Sequence, residues 1–247
     1  MDAMQVAQKV ISRVRRLFVR DAPYVFVRNS SQQLGVEHTR DTSRIVNLIE
    51  YTKTNLSSYS AKEYESGYHE LVVDGRVLTG QRSPTKRLGA LPLDFKGKSV
   101  LDLGCNQGGM LLHIADQLKW GVGLDYDGKM VNVCNLQKSV RQLTCVDFYV
   151  FDIDRDPHEL ILDFIPEHRV DVVFLLSVCM WVQKWKSLID FCATISNVVV
   201  LETNGTDLQQ EEQVDYLTQH FPTVQQITTV SDDDPKQKRR RLYLASK

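Results

Sequence analysis

Beyond Lys96 the chain alternates short apolar runs with longer amphipathic stretches. Runs of strand length fall near 99–103, 121–125, 146–151, 171–176, 197–202, 224–230 and 240–245. Helix-length stretches lie between them, near 107–118, 128–140, 157–164, 184–194 and 208–220. This alternation predicts an α/β fold with a parallel sheet covered by helices. The last two strands are joined through Asp232 to Lys238, a polar loop with no room for a crossover helix. They should therefore pair antiparallel. The expected sheet has five parallel strands followed by a C-terminal antiparallel pair.

Residues 1–96 lack that rhythm. Val6, Val10, Val14 and Phe18 form an i, i+4 stripe, with Ile11 and Leu17 alongside and Lys9, Arg13, Arg15, Arg16 and Arg20 as basic content. Such a helix suits a membrane surface or a transit peptide, or packs its stripe on the domain. Asp2 and the lack of a small-residue cleavage site favour packing. Asp41 can cap a second helix carrying Ile45, Val46, Leu48, Ile49 and Thr52, and a third runs from Ser60 to Glu65. Residues 69–73 and 76–79 flank Asp74-Gly75, a two-residue hairpin signal. Ser83-Pro84 opens a short helix to about Leu88, and Gly89 suits its end. The expected organisation is a mostly helical cap with a hairpin over 1–96 and a ligand-binding sheet domain over 97–247.

A chain of 247 residues can bury one large core. Its formal charge of −1 carries no global nucleic-acid or membrane signature. No apolar run reaches the about 18 residues of a membrane span. Cys105, Cys134, Cys145, Cys179 and Cys192 are scattered without a C-x-x-C, so neither a zinc site nor a disulfide framework is expected. Their odd number suits a reducing cytosol. No metal constellation is visible.

The chemistry concentrates in Val100-Leu101-Asp102-Leu103-Gly104-Cys105-Asn106-Gln107-Gly108-Gly109. An apolar run ends in a glycine-rich turn, a helix follows, and the next apolar run ends in an acid, Gly121-Val122-Gly123-Leu124-Asp125. The glycines let backbone approach a ligand, and the acid can accept from both ribose hydroxyls. Asn106 stands where a dinucleotide fingerprint wants its second glycine, the residue that makes room for a pyrophosphate. A ligand with ribose but no pyrophosphate fits better, which disfavours NAD.

These two motifs resemble the first and second motifs of the seven-stranded, Rossmann-like (class I) S-adenosylmethionine-dependent methyltransferases. The resemblance covers about 97–247 and implies S-adenosylmethionine as cofactor. It implies that the backbone near Gly104, with Cys105, Asn106 and Gly108, meets the amino-acid part of the cofactor. Asp102 would orient its ammonium, or hold the turn. Asp125 would accept from the ribose diol and Tyr126 would flank the adenine, while Asp127 could cap the next helix. Asp152 would accept from the adenine amino group with the Ile153 amide beside it, Asp154 being the local competitor. The segment from Ser177 to Val182 would line the sulfonium and acceptor region. It lacks the Asn-Pro-Pro-Tyr type of tetrapeptide used to methylate base amino nitrogens.

Trp181 is either an acceptor wall or a core aromatic, with Trp185 four residues on. Glu202 and Asn204 either face the acceptor or shape a turn. In the cap, Arg82 suits a cofactor carboxylate because guanidinium presents a bidentate fork. His69 is a candidate general base, against the commoner surface histidine. The leading expectation is a small-molecule methyltransferase working by in-line displacement. The alternatives are an RNA-directed enzyme and a non-catalytic partner subunit. For RNA, Leu201-Glu202-Thr203 and the layout resemble tRNA wobble-uridine carboxymethyltransferases. Ser177 to Trp181 resembles RNA-cap and phosphate-end methyltransferases. The basic run Lys236 to Arg241, beside Asp232 to Asp234, and the arginine-rich first helix could also touch phosphates.

Overall fold

The computed structural model describes residues 39–54, 62–231 and 239–247. The amphipathic stretch 1–20, the start of the expected third helix and the loop 232–238 lie outside the described residues. Thr39–Lys247 forms one compact unit, so residues 39–96 pack together with the sheet.

The cap opens with α1 (Arg40–Thr54). Thr39, not Asp41, does the capping: its Oγ1 accepts from the Thr42 amide at 3.2 Å. Asp41 sits inside the first turn and pairs with Arg44 at 3.3 Å. Residues 62–65 form turns and bends, without the helix expected there. Four three-residue strands follow: β1 (Gly67–His69), β2 (Leu71–Val73), β3 (Arg76–Leu78) and β4 (Gly80–Arg82). β2 and β3 make the expected hairpin around Asp74 and Gly75, both left-handed at φ 48° and 73°. β1 and β4 pair in parallel, which no local signal marks. Helix α2 (Pro84–Ala90) runs through Gly89, and Ser83 makes no side-chain capping bond to it.

The sheet then alternates as predicted. Its strands are β5 (Ser99–Leu103), β6 (Trp120–Asp125), β7 (Val146–Val150), β8 (Val172–Leu176), β9 (Val198–Glu202), β10 (Thr223–Thr228) and β11 (Leu242–Ser246). Their spatial order is β10-β11-β9-β8-β5-β6-β7. β7, β6, β5, β8 and β9 run parallel, and β11 enters antiparallel between β9 and β10. The flanking helices are α3 (Gly109–Ile114), α4 (Gly128–Val140), α5 (Trp185–Ile195) and α6 (Asp207–Thr218). The expected helix 107–118 is α3 followed by a 3₁₀ turn at 115–117, and 157–164 is a 3₁₀ segment at 158–163.

The period-two pattern sorts the central strands onto two cores. Leu101, Leu103, Val173, Leu175, Val199 and Leu201 face one side with Leu188, Ile189 and Cys192 of α5. Val100, Val172, Phe174, Leu176 and Val200 face the other with Met110 and Leu111 of α3. A third cluster joins Ile45 and Ile49 of α1, Leu71, Val73 and Leu78 of the hairpin, and Val133 of α4. The connection after β7 returns to the far side of β5, so neighbouring connections diverge between β5 and β8. In open α/β sheets, ligand crevices form beyond the carboxyl ends of the strands at such a switch point. Among the described residues, no helix is long and apolar enough to cross a membrane.

Candidate ligand-binding cleft

A cavity of about 590 Å³ opens at that point. Its floor is the turn after β5. The Gly104 and Cys105 amides both donate to the Leu124 carbonyl, at 2.8 and 3.0 Å, which fastens the turn to β6. Gly104, Asn106 and Gly108 are all left-handed, with φ of 77°, 48° and 71°. Asn visits this region more readily than most side chains, which explains how the turn keeps its form without a second glycine. A Cβ on Gly104 would lie 2.7 Å from Val178 Cγ2. One on Gly108 would lie 2.8 Å from the Phe148 ring and 2.9 Å from Cys134 Sγ. Gly108 thus serves turn geometry and helix–sheet packing and does not line the cavity. Cys105 also turns away, its sulfur lodged beside Gly123 in the core.

Asp125, the last residue of β6, lines the cavity. Its Oδ2 accepts from the Asn106 amide at 2.8 Å and its Oδ1 from the Asp127 amide at 2.9 Å. Burial pushes its pKa up to about 6, and these two amides oppose the rise. An ionised carboxylate has roughly four acceptor positions, so capacity remains for two hydroxyls. Asp127 caps α4 through the Lys129 amide at 2.9 Å. Asp102 lies beneath the loop, off the cavity lining. It is buried, its Oδ2 has no hydrogen-bond partner among the described residues, and burial raises its pKa to about 7.

Beyond β7 the wall is Phe151, Asp152, Ile153, Asp154 and Arg155, with Tyr126 at the rim, 60% exposed. Asp152 Oδ1 accepts from the Asp154 and Arg155 amides at 3.1 and 3.3 Å, which shapes this turn. Asp154 Oδ1 accepts from the Gln183 and Lys184 amides at 2.8 and 3.1 Å, and so braces the approach to α5. Asp156 receives the Asp152 amide at 2.9 Å. Neither caps the 3₁₀ segment at 158–163.

The opposite end is lined by Tyr68, Leu176, Ser177, Val178, Trp181, Val182 and Arg240. Ser177 holds a left-handed φ of 63°. Its hydroxyl donates to Glu202, which also receives Arg82 and, at 2.8 Å, Arg87. The two guanidinium charges draw the Glu202 carboxyl below its ordinary range despite burial. Glu202 therefore anchors the wall from behind and does not line the cavity. Arg82 is turned to Glu202 and not toward the ligand space. Asn204 is structural, accepting from the Met180 amide at 2.8 Å and donating to the Ser177 carbonyl at 2.5 Å.

His69 is no surface histidine. It is buried, its Nδ1 accepts from the Gly109 amide at 3.3 Å, and burial beside Arg87 and Arg82 pushes its pKa well down. Trp181 is 60% exposed at the cavity wall, so it is no core aromatic. It closes a 3₁₀ turn at 179–181, while Trp185 begins α5 and packs edge-on against Tyr216, so the two share no helical stripe.

The cavity thus gathers Gly104, Asn106, Asp125, Tyr126, Asp152, Ile153, Ser177 and Trp181 from the expected residues. It leaves out Arg82, Asp102, Cys105, Gly108, His69 and Glu202. Sequence reasoning missed Arg87, Arg240 and the role of Gln107. Gln107 is fully buried; its Oε1 accepts from the Tyr68 and His69 amides at 3.2 and 3.0 Å, and its Nε2 donates to the Ser66 carbonyl at 2.6 Å. It staples the cap onto the glycine turn. Arg240 precedes β11 (Leu242–Ser246), so strand alternation does not place its side chain.

A family model described as a methyltransferase domain matches residues 80–234. No curated protein matches the chain. Among solved structures, the bifunctional kinase-methyltransferase WbdD aligns with a TM-score of 0.58 at 20% identity, over 80% of this chain and 46% of that one. The N-terminal domain of EvdMO1 with SAH bound aligns with a TM-score of 0.57 at 12% identity, over 81% of this chain and 95% of that domain. A longer EvdMO1 chain aligns at 0.54 and 16% identity, over 72% of this chain and 43% of its own length. The chain spans less than half of WbdD and of the longer EvdMO1 chain. At these identities the likeness is one of fold.

Proposed function

We infer that this chain, which belongs to the methyltransferase domain family within the class I S-adenosylmethionine methyltransferases, binds S-adenosylmethionine in the cleft and methylates a small-molecule acceptor. The observation that carries this reading is Asp125. Its carboxylate stands at the strand tip, fixed by the Asn106 and Asp127 amides, above a turn whose left-handed Gly104 leaves no space for a side chain. That cradle suits a ribose diol with backbone passing close beneath it.

When bound, the cofactor supplies a methyl group activated by the positive sulfonium sulfur. The protein's own work is placement and exclusion of water. Asp125 holds the ribose hydroxyls. Asp152, the Ile153 amide and Tyr126 frame the adenine. The Gly104 backbone meets the amino-acid end. Ser177, Val178 and Trp181 form the wall where the acceptor is aligned.

A cavity of about 590 Å³ lies within the range of small-molecule sites, roughly 300–1,000 Å³. In the described part of the basic run, exposed Arg239 pairs with Asp207 at 3.3 Å. Arg240 is turned into the cavity wall, away from any outward phosphate-binding face. Both observations favour a small acceptor over RNA. Asn106 in the turn favours a ligand without a pyrophosphate.

Calorimetry tests the reading. S-adenosylhomocysteine should bind the full chain with micromolar affinity and NAD should not. Asp125→Asn should weaken S-adenosylhomocysteine by at least about tenfold, the loss of one charge-assisted contact of roughly 1.4 kcal/mol or more. Binding of NAD in preference, or an Asp125→Asn variant that binds as tightly as wild type, would contradict it.

A further inference from the structure

We propose that the methyl-accepting atom is the nitrogen or oxygen of an amine or hydroxyl, and that Ser177 Oγ receives its N–H or O–H hydrogen. This deepens the preceding reading and rests on it.

Ser177 lies just past β8 and lines the cavity, with a left-handed φ of 63°. A residue other than glycine is strained there and persists only where its surroundings hold it. The holding bonds all come from the end of β9 and the residues just after it. The Ser177 amide donates to the Glu202 carbonyl at 2.9 Å, and Asn204 Nδ2 donates to the Ser177 carbonyl at 2.5 Å. The Ser177 hydroxyl donates to the Glu202 carboxylate. Glycine would adopt this torsion without strain, so what serine adds to the wall is its hydroxyl.

Charge fixes the direction of that hydroxyl. Glu202 receives Arg82 and, at 2.8 Å, Arg87, and the two guanidinium groups draw its carboxyl below the ordinary range. An ionised carboxylate only accepts, so Ser177 must be the donor. Both polar hydrogens of Ser177, on the amide and on Oγ, are therefore engaged with Glu202. What Oγ keeps is lone-pair capacity, and donating to a carboxylate makes it a stronger acceptor. A polar group that meets Ser177 from the cavity must then be a donor. Leu176, Val178 and Val182 flank Ser177 with apolar surface. A ligand oxygen without a hydrogen would lose water there and gain no bond from Ser177.

The chemistry of transfer agrees. A nitrogen or oxygen that gives its hydrogen to Oγ keeps a lone pair free to face the methyl group. The bond to the methyl carbon forms as the carbon–sulfur bond breaks, and that electron pair stays on sulfur. Positive charge passes from sulfur to the acceptor atom, which then releases its proton to water. Glu202, held ionised by two arginines, is no resting place for that proton.

The probes are three analogues of S-adenosylhomocysteine in which nitrogen replaces the sulfur. That nitrogen carries a 2-aminoethyl, a 2-hydroxyethyl or a propyl arm toward the acceptor wall. Each is titrated by calorimetry into the full chain, beside S-adenosylhomocysteine itself. At least one donor arm should bind about fivefold or more tighter than the propyl arm, and the stronger of the two identifies the acceptor as amine or hydroxyl. The ratio of donor-arm to propyl-arm affinity cancels any effect on the shared cofactor part. Ser177→Ala should bring that ratio to within about twofold of one. Ser177→Gly, which suits the left-handed torsion, should do the same and guards against a folding defect. The proposal is overturned if the propyl analogue binds as tightly as both donor analogues, or if the donor preference survives in both variants. Failure of S-adenosylhomocysteine itself to bind would instead remove the cofactor reading.

Discussion

At the residue scale, the site is governed by carboxylates held in different environments. Asp102 and Asp125 are buried, and desolvation raises them to about 7 and about 6. Glu202 is equally buried but is drawn down by Arg87 and Arg82. The sign of the pH dependence follows. An acid whose pKa is raised by folding binds its proton more tightly in the native state, so stability falls as pH rises from the unfolded value toward the folded one. For Asp102 that window runs from 3.8 to about 7. Asp102→Asn should therefore gain stability relative to wild type, the gain growing across that window and levelling off above about pH 7. Denaturant titrations of the ligand-free chain at several pH values would show it. A gain that is flat in pH would contradict the assignment.

The places of Asp125 and Gly104 at the cavity were legible in the sequence because they are local, being set by strand ends and turn torsions. Arg87 was not, because the carboxylate it meets lies over a hundred residues away, and neither was the place of Arg240 at the cavity, which depends on where the chain enters the antiparallel pairing beside β9. His69 was misread for the same reason. Alternation along a strand says which residues share a face, not which face another element covers. Here a Cβ on Gly109 would lie 2.6 Å from the His69 side chain, so the cap histidine is packed directly against the glycine turn.

At the scale of elements, Glu202 joins four of them. It ends β9, and it receives Arg82 from β4, Arg87 from α2 and Ser177 just past β8. Such a cluster is worth little relative to a well-packed apolar one, but breaking it leaves buried charge uncompensated. Glu202→Gln should destabilise the chain by about 3–5 kcal/mol in urea unfolding. By contrast, Lys119→Ala, which removes an exposed partner of Glu167, should cost about 1 kcal/mol or less. Equal effects would mean that Glu202 does not organise the wall. The long elements were readable because strand and helix periods persist over enough residues to separate. The three-residue strands β1 and β4 were not, since neither is long enough to show a period. The segment at 158–163 was also misassigned, as a 3₁₀ turn and a short helix share the same spacing of apolar residues.

For the whole molecule, the sheet order, the antiparallel insertion of β11 and the cap together enclose one cleft at the switch point. Gln107 ties the cap to the glycine turn through three backbone partners, so the cap and the floor of the cleft are parts of one packed unit. The most direct measurement is a crystal structure of the full chain with S-adenosylhomocysteine. The ribose hydroxyls should lie within hydrogen-bond distance of the Asp125 carboxylate, the adenine against Ile153, and the sulfur toward Ser177 and Trp181. A ligand bound elsewhere, or one that turns another group toward Asp125, would contradict the assignment of this cleft.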